Sequence, residues 1–467
     1  MRQLALACMV LALGALIGHA ADTTTRPAGA RLPTQTMPAF TRPATHQIDV
    51  ILARPTDTAI TASVLAYRDV RVRLLYGTSP TALTNTTADT PLTASTPHNF
   101  LLTSLKPNTH YHYALHDADG RPLATGSFHT ARPAGTSFTF TITADSHLDE
   151  HSSFDTYRKT LANITAAKPD FHIDLGDTFM NEKHPTRAAA HDQYLAQRYF
   201  LGSIAQSAPF FFVLGNHDGE YPRGQAETEN SLAVWSNLTR KKFFPNPVPD
   251  NFFTGNTTRH PVAGDLQNYY AFGWGDAHIL VLDPFWYSPR QRRTESNWSR
   301  TLGPTQYAWL KKTLESSDAK YTFVFIHHLV GGLDLQARGG AEAASLYEWG
   351  GKNADGTDGF KTHRPNLPMP IHDLLKKHGV QVVFHGHDHL YAKQEHDGII
   401  YQEVPQPSDP RGTTRSAADY GYKSGTLAGS SGHMRVDVTP AQATITYVRS
   451  AGREAANEPL TYTVKPR

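Results

Sequence analysis

Five short polar segments contain residue types suited to hydrolytic chemistry. They are Asp145-Ser146-His147, Gly176-Asp177, Gly215-Asn216-His217-Asp218, His327-His328 and His385-Gly386-His387-Asp388-His389. Carboxylate, amide oxygen and imidazole together suit Mn, Fe, Zn or Co, and the histidines argue against a pure Mg or Ca site. An Asp, His, Asp, Asn, His, His, His set exceeds what one tetrahedral ion needs. Two ions about 3.5–4 Å apart, sharing a carboxylate, would use them all, activate water and clamp a phosphoryl group. Singly, the segments are weaker signals. A strand-end aspartate is often a helix cap, Gly-Asn-His-Asp can be a plain turn, and paired histidines are often buried against backbone. Their force lies in their order, because all five follow predicted strands.

Those strands are read from hydrophobic patterning. Phe138, Phe140 and Ile142 alternate and lead to Asp145, while Phe171, Ile173 and Leu175 end at Gly176-Asp177. The continuous apolar run Phe210–Leu214 precedes Gly215, as a buried strand should. Tyr321–Ile326 runs into His327, Val380–Phe384 runs into His385, and His278–Leu282 reads as a further strand. Phe154, Tyr157, Leu161 and Ile164 recur at helical spacing, and Pro370–His378 reads as a short helix stopped by Gly379. Strand–helix alternation across residues 134–467 predicts a layered α/β domain. In such sheets ligands gather beyond the carboxyl ends of the strands. The Gly- and Pro-rich stretch Gly331–Pro370 reads as surface loops. It holds Glu342 and Arg338, a type of residue suited to clamping phosphate oxygens, although a solvated loop arginine is the plainer reading. Trp286 and Tyr287, after Asp283, could line a pocket, and packing is the plainer reading there.

The order of the five segments resembles the calcineurin-like metallophosphoesterase superfamily over about residues 137–440. The resemblance implies a four-layer α/β/β/α sandwich. It implies one metal on Asp145, His147, Asp177 and His389, and a second on Asp177, Asn216, His327 and His387, with Asp177 bridging. It also selects His327 over His328, which the local sequence does not decide. His217 matches the family's proton donor or phosphate-stabilising histidine, with Asp218 expected to orient it. Two positions depart from purple acid phosphatases, which have glycine where His147 stands and tyrosine where Met180 stands. The resemblance therefore implies no tyrosinate–iron ligation.

The chain has 467 residues, with 44 Lys and Arg against 42 Asp and Glu. This near-balance argues against a dedicated nucleic-acid binder. Arg2 followed by the apolar run Leu4–Ile17 and Gly18-His19-Ala20 predicts a signal peptide over residues 1–20, too short to span a membrane. No later run is long enough to span. Cys8 lies inside that run, not after it, so it is not read as a lipidation site. Cleavage after Ala20 would leave no cysteine, excluding disulfides, thiolate metal sites and cysteine catalysis. Residues 21–44, rich in Thr, Pro and Ala, read as a linker.

Residues 45–133 read as a small all-β sandwich, with alternation at Val70–Leu74 and His110–Tyr113 and a hairpin signal at Asp119-Gly120. Leu105–Tyr111 resembles the tyrosine corner of fibronectin type III-like domains, with Tyr111 as the corner. Such a domain ahead of a phosphoesterase resembles the purple acid phosphatase arrangement. The expected protein is a secreted or periplasmic hydrolase with two transition-metal ions (Fe, Mn, Zn or Co). It should cleave small phosphate esters, chiefly monoesters, by attack of a metal-activated hydroxide, with His217 protonating the leaving alkoxide. A phosphodiesterase or nucleotidase on the same ligand set is the rival within the enzyme class. A silent binding protein should lack a ligand or His217, and none is missing.

Overall fold

Eight strands form at the front of the chain. They are β1 (Ile48–Ala53), β2 (Ile60–Ala66), β3 (Val70–Gly77), β4 (Asn85–Thr86), β5 (Thr90–Leu92), β6 (His98–Leu102), β7 (His110–Asp117) and β8 (Pro122–His129). The computed structural model describes residues 40–149, 151–222, 228–288, 296–332, 340–414, 417–451 and 460–467. All of them belong to one unit, Gln35–Arg467. The expected signal peptide, most of the linker and Arg338 lie outside the described residues. One front sheet has the order β1-β2-β6; the other runs β4-β3-β7-β8, with β5 also on β3. Val50, Leu52, Val64 and Phe100 of the first pack against Leu74, Leu115 and Phe128 of the second. The Tyr111 hydroxyl accepts the Lys106 amide at 2.9 Å, tying the turn to β7. Asp119-Gly120 lies in the β7–β8 hairpin turn, with Gly120 at φ 81°.

The next stretch contains β9 (Phe138–Thr143), α1 (Phe154–Ala167), β10 (Phe171–Asp174), α2 (Arg187–Ala205), β11 (Phe210–Phe212) and α3 (Leu232–Phe243). Short strands β12 (Thr254–Gly255), β13 (Arg259–His260) and β14 (Gly264–Asp265) lead to β15 (Tyr270–Trp274) and β16 (Ala277–Val281). Then come α4 (Gly303–Glu315), β17 (Tyr321–Phe325), α5 (Gly340–Ala343), α6 (Tyr347–Gly350), α7 (Phe360–His363), α8 (Ile371–Lys377) and β18 (Val382–His385). Six strands close the chain: β19 (Leu390–His396), β20 (Ile399–Glu403), β21 (Thr426–Gly429), β22 (Gly432–Val438), β23 (Ala443–Arg449) and β24 (Leu460–Val464).

These strands make a six-stranded sheet, β11-β10-β9-β22-β23-β24, and an eight-stranded one, β12-β15-β16-β17-β18-β20-β19-β21. Phe140, Ile173 and Phe211 of the first meet Phe272, Phe325 and Phe384 of the second in an aromatic-rich core. The outer face of the first sheet is covered by α1 and α2, through Leu161, Ile164, Phe200 and Leu201. The outer face of the second is covered by α4 and α8, through Leu310, Leu314, Leu374 and Leu375. The layers are thus α/β/β/α, and strands buried on both faces read as continuous apolar runs.

The expectation of plain surface loops over Gly331–Pro370 is corrected. The described part holds α5, α6 and α7, and Trp349 and Ala344 are fully buried in the outer core of the second sheet. Glu348 of the same stretch accepts the Leu302 amide at 2.8 Å. Four-residue helices are too short to show a helical period, so nothing in the pattern announces them.

Candidate metal centre

The candidate ligands leave the carboxyl ends of parallel strands. The register pairs β9 with β10, β10 with β11, and β17 with β18, all parallel. Loops following each of these strands therefore open at one edge of the sandwich. The second and third loops touch because Gly215 has no side chain: a Cβ there would lie 2.1 Å from the Asp177 amide nitrogen. Asp145, His147, Asp177, His387 and His389 have φ of 59°, 51°, 54°, 87° and 60°. Non-glycine residues rarely adopt such values. Each costs about 1–3 kcal/mol and persists only where its surroundings over-determine it, as at functional sites.

Two groups result. In one, the ligand atoms of Asp145, His147 and His389 lie within 4.8 Å of one another; in the other, so do those of Asp177, His327 and His387. Asp145 Oδ1 is 3.6 Å from His389 Nε2, 3.8 Å from His147 Nε2 and 3.9 Å from His327 Nε2. Asp177 Oδ2 faces both groups, 3.3 Å from His327 Nε2 and 3.8 Å from His147 Nε2. Asn216 Oδ1 lies 3.0 Å from His327 Nε2. Ligand atoms about 2.1 Å from a tetrahedral ion lie about 3.4 Å apart, so the carboxylate–imidazole spacings of 3.3–3.9 Å match coordination better than direct hydrogen bonding, whereas Asn216 hydrogen-bonds His327 here. Asp145 Oδ1 and His147 Nε2 are buried with no hydrogen-bond partner, as atoms reserved for an ion would be. The donor set of oxygen and imidazole nitrogen also suits a transition metal.

Other bonds aim these groups. His327 Nδ1 donates to the Leu175 carbonyl at 2.8 Å, so Nε2 is the nitrogen turned to the centre. His147 Nδ1 is likewise held by Asp149 Oδ2 at 3.1 Å. The remaining Asp145 oxygen accepts the His387 amide at 2.8 Å, and Asp177 Oδ1 accepts the His217 amide at 2.6 Å. Without ions the charges oppose one another. Burial alone would raise Asp145, but His327, His147 and His389 outweigh it and hold the carboxyl well below its usual range. Burial would lower His327, yet Asp177 and Asp145 push it up to about 10. Burial is likewise overcome at His147, which Asp145 and Asp149 push up to about 9.

His328 stays outside both groups. Its Nδ1 is bound to the Leu329 carbonyl at 3.0 Å, and its ring packs edge-on against Phe285. His217 stands at the rim, with its Nε2 4.0 Å from Asp177 Oδ2 and its side chain 22% exposed. The expectation that Asp218 orients His217 is corrected. The Asp218 carboxylate accepts the amides of Asp177, Thr178, Phe179 and Gly215 at 2.8–3.0 Å, so it is spent on shaping the loops. The acid on His217 is Glu182, whose Oε1 is 2.6 Å from Nδ1. Sequence reasoning missed Glu182 and Asp149. The only signal for either was a carboxylate a few residues after a ligand. Glu342 accepts from Gln394, the Lys423 amide and Ser424, and so braces a loop. Trp286 packs with Val234, Ala263 and Leu266.

A family model described as calcineurin-like phosphoesterase matches residues 138–391, more than half of the chain. No curated protein matches at a significant level. Among solved structures, that of PhoD is 17% identical with a TM-score of 0.62, covering 91% of this chain and 90% of that one. Purple acid phosphatase PPD1 from yellow lupin (Lupinus luteus) seeds is 15% identical with a TM-score of 0.58, covering 89% of this chain and 74% of that one. At such identities these two likenesses speak for the fold alone.

Proposed function

The chain belongs to the calcineurin-like phosphoesterase family, and from that premise we propose a phosphomonoesterase acting on small phosphate esters with two transition-metal ions. It is a phosphoric ester hydrolase; the monoester preference and the two ions are our reading. What carries the two-ion part of that reading is the pair of Asp/His groups facing one shared oxygen, Asp177 Oδ2. Asp145, His147, Asp177 and His389 would hold one ion, and Asp177, Asn216, His327 and His387 the other. Ions bound there supply Lewis acidity toward phosphate oxygens and toward water.

The chain's own groups do the rest. Asp149 and the Leu175 carbonyl fix the tautomers of His147 and His327. The Asp218 carboxylate gathers four amides and so sets the spacing between the second and third loops. Glu182 holds His217 by Nδ1, leaving Nε2 to donate its proton to the departing alkoxide. We read the Leu4–Ile17 run as an export signal, which makes the enzyme secreted or periplasmic. Among the described residues no helix is long and apolar enough to cross a membrane.

The test is phosphate release from sugar and alkyl monoesters, nucleotides, phytate and diesters, with metal counted on the same sample. Monoester turnover at about two ions per chain supports the proposal. Turnover confined to diesters would move it to the phosphodiesterase reading. Metal-loaded protein with no turnover on any of these would refute it.

A further inference from the structure

We propose a separate zinc site formed by His372, His396 and Asp397, on the far side of the second sheet from the candidate catalytic centre. Three elements bring these residues together. His372 is the second residue of α8 and is 4% exposed. His396 ends β19, and its register partner Ile399 begins β20. The two residues between, Asp397 and Gly398, have φ of 53° and 80°. Positive φ at both positions is the signature of a tight hairpin turn matched to strand twist, so Asp397 is presented on a rigid support.

The ligand atoms of the three residues lie within 4.8 Å of one another. His372 Nε2 and Asp397 Oδ2 are 3.5 Å apart, and the two imidazole centroids 4.9 Å apart. Ligands about 2.1 Å from a tetrahedral zinc ion are separated by about 3.4 Å, which is this spacing. His372 Nε2 is buried with no hydrogen-bond partner, an orphan nitrogen aimed into the cluster.

The surroundings allow the required tautomer. The Tyr401 hydroxyl oxygen accepts the Trp349 Nε1 proton at 2.9 Å and lies 2.7 Å from His372 Nδ1. Its second lone pair can accept an Nδ1 proton, which leaves the Nε2 lone pair for the ion. Burial and the adjacent His396 keep His372 below its ordinary pKa, which favours the neutral form that binds metal. The competitor is Lys376, whose ammonium is 2.7 Å from Asp397 Oδ2. That pair is solvent-exposed, and such pairs yield readily to a divalent ion.

Two imidazoles and one carboxylate with an open fourth position describe a zinc site completed by water. β19 begins one residue after His389 and runs to His396, about 23 Å along the strand at about 3.3 Å per residue. The two centres therefore share no ligand. Zinc here would tie α8 to the β19–β20 hairpin, and hence brace the elements that lead into His387 and away from His389.

The test is equilibrium dialysis of the full chain against Zn2+ with metal counting, beside thermal unfolding with and without Zn2+. His396 and Asp397 are half-exposed and exposed, so variants there leave the core intact. His396→Ala and Asp397→Asn should each hold one zinc fewer than wild type and lose the zinc-dependent rise in Tm, with phosphate-ester turnover kept. Asp177→Asn, which disturbs the other centre, should retain this zinc, so failure of one site is distinguishable from failure of the other. Tyr401→Phe should weaken this zinc by about 10- to 100-fold. Lys376→Ala should tighten it. Unchanged stoichiometry and an unchanged Tm shift in His396→Ala and Asp397→Asn would overturn the proposal.

Discussion

Replacing Glu182 tests whether His217 works as a positioned acid. Their bond is 2.6 Å long, and the side chains are 22% and 18% exposed. A hydrogen bond to a charged group contributes about 1.5–3 kcal/mol. Partial exposure places this one toward the lower end. Each 1.4 kcal/mol or so is a factor of ten in rate. Glu182→Ala should therefore lower kcat on alkyl phosphates by about 10- to 50-fold. His217→Ala should cost more, about 10²–10⁴-fold, because it removes the acid itself. Nitrophenolate leaves without a proton, so both variants should lose far less on nitrophenyl phosphate.

A merely structural Glu182 would behave differently. It would slow both substrates alike, and its loss would multiply with that of His217→Ala. If Glu182 acts only through the imidazole, the double variant should match His217→Ala within about twofold. Glu182→Gln keeps a hydrogen-bonding carbonyl and should recover part of the rate. The assay is steady-state kcat and KM on both substrates, with metal content measured on each variant. Equal losses on the two substrates, or a multiplicative double variant with metals retained, would refute the reasoning.

Chelation should abolish turnover, and Mn, Zn or Co should restore it. Asp177→Ala should be the most damaging ligand change, because Oδ2 faces both groups; a variant that keeps both ions and full rate would remove the shared-carboxylate reading. Met180 offers no phenolate, so an iron-loaded sample should show no strong visible charge-transfer band in its absorption spectrum. Acid should destabilise the fold through His172 and His433, both pushed down to about 3, chiefly by burial. Below pH 6.5 the unfolded chain takes up protons that these buried rings refuse, so stability is lost as pH falls toward 3, by about 1.4 kcal/mol per pH unit for each. Urea midpoints at pH 7, 6 and 5 should fall less steeply for His172→Asn than for wild type; parallel slopes would contradict this.

Much of the centre was legible because each candidate ligand directly follows a strand whose pattern is strong. Phe138, Phe140 and Ile142 announce β9 and so locate Asp145; the apolar run at Phe210 announces β11 and so locates Asn216. What pairs with what was less legible. Asp218 stands next to His217 in sequence, yet a turn sends its carboxylate to four backbone amides and leaves the ring to Glu182. Adjacency along a chain says little about direction once the backbone enters left-handed conformations, as it does at Asp177 and Met180. His372 and Asp397 carry no motif at all. They meet because α8 packs on the second sheet, a contact that only the tertiary fold creates.

The front β sheets bear on the centre through one helix. Strands β1 and β2 are buried on both faces, with Ile51 and Leu65 packing into the core beneath α2. Arg198 of α2 is fully buried. Its guanidinium donates to the Ser63 hydroxyl and carbonyl, the Asp49 carbonyl and the Phe243 carbonyl at 2.7–3.2 Å. One turn earlier on the same helix, Gln193 donates to the carbonyls of His147 and Thr178 at 2.7 and 2.6 Å. Gln197 donates to the Ser146 hydroxyl at 2.8 Å and the Thr178 carbonyl at 3.0 Å. The helix that holds the front sheet therefore also holds the first two ligand loops, where His147 and Asp177 have positive φ. Such conformations persist only when several contacts impose them. Front sheets detached from α2 would leave that face of the helix solvated and Arg198 without its acceptors. The bonding makes the front sheets a brace for the loops that carry Asp145, His147 and Asp177.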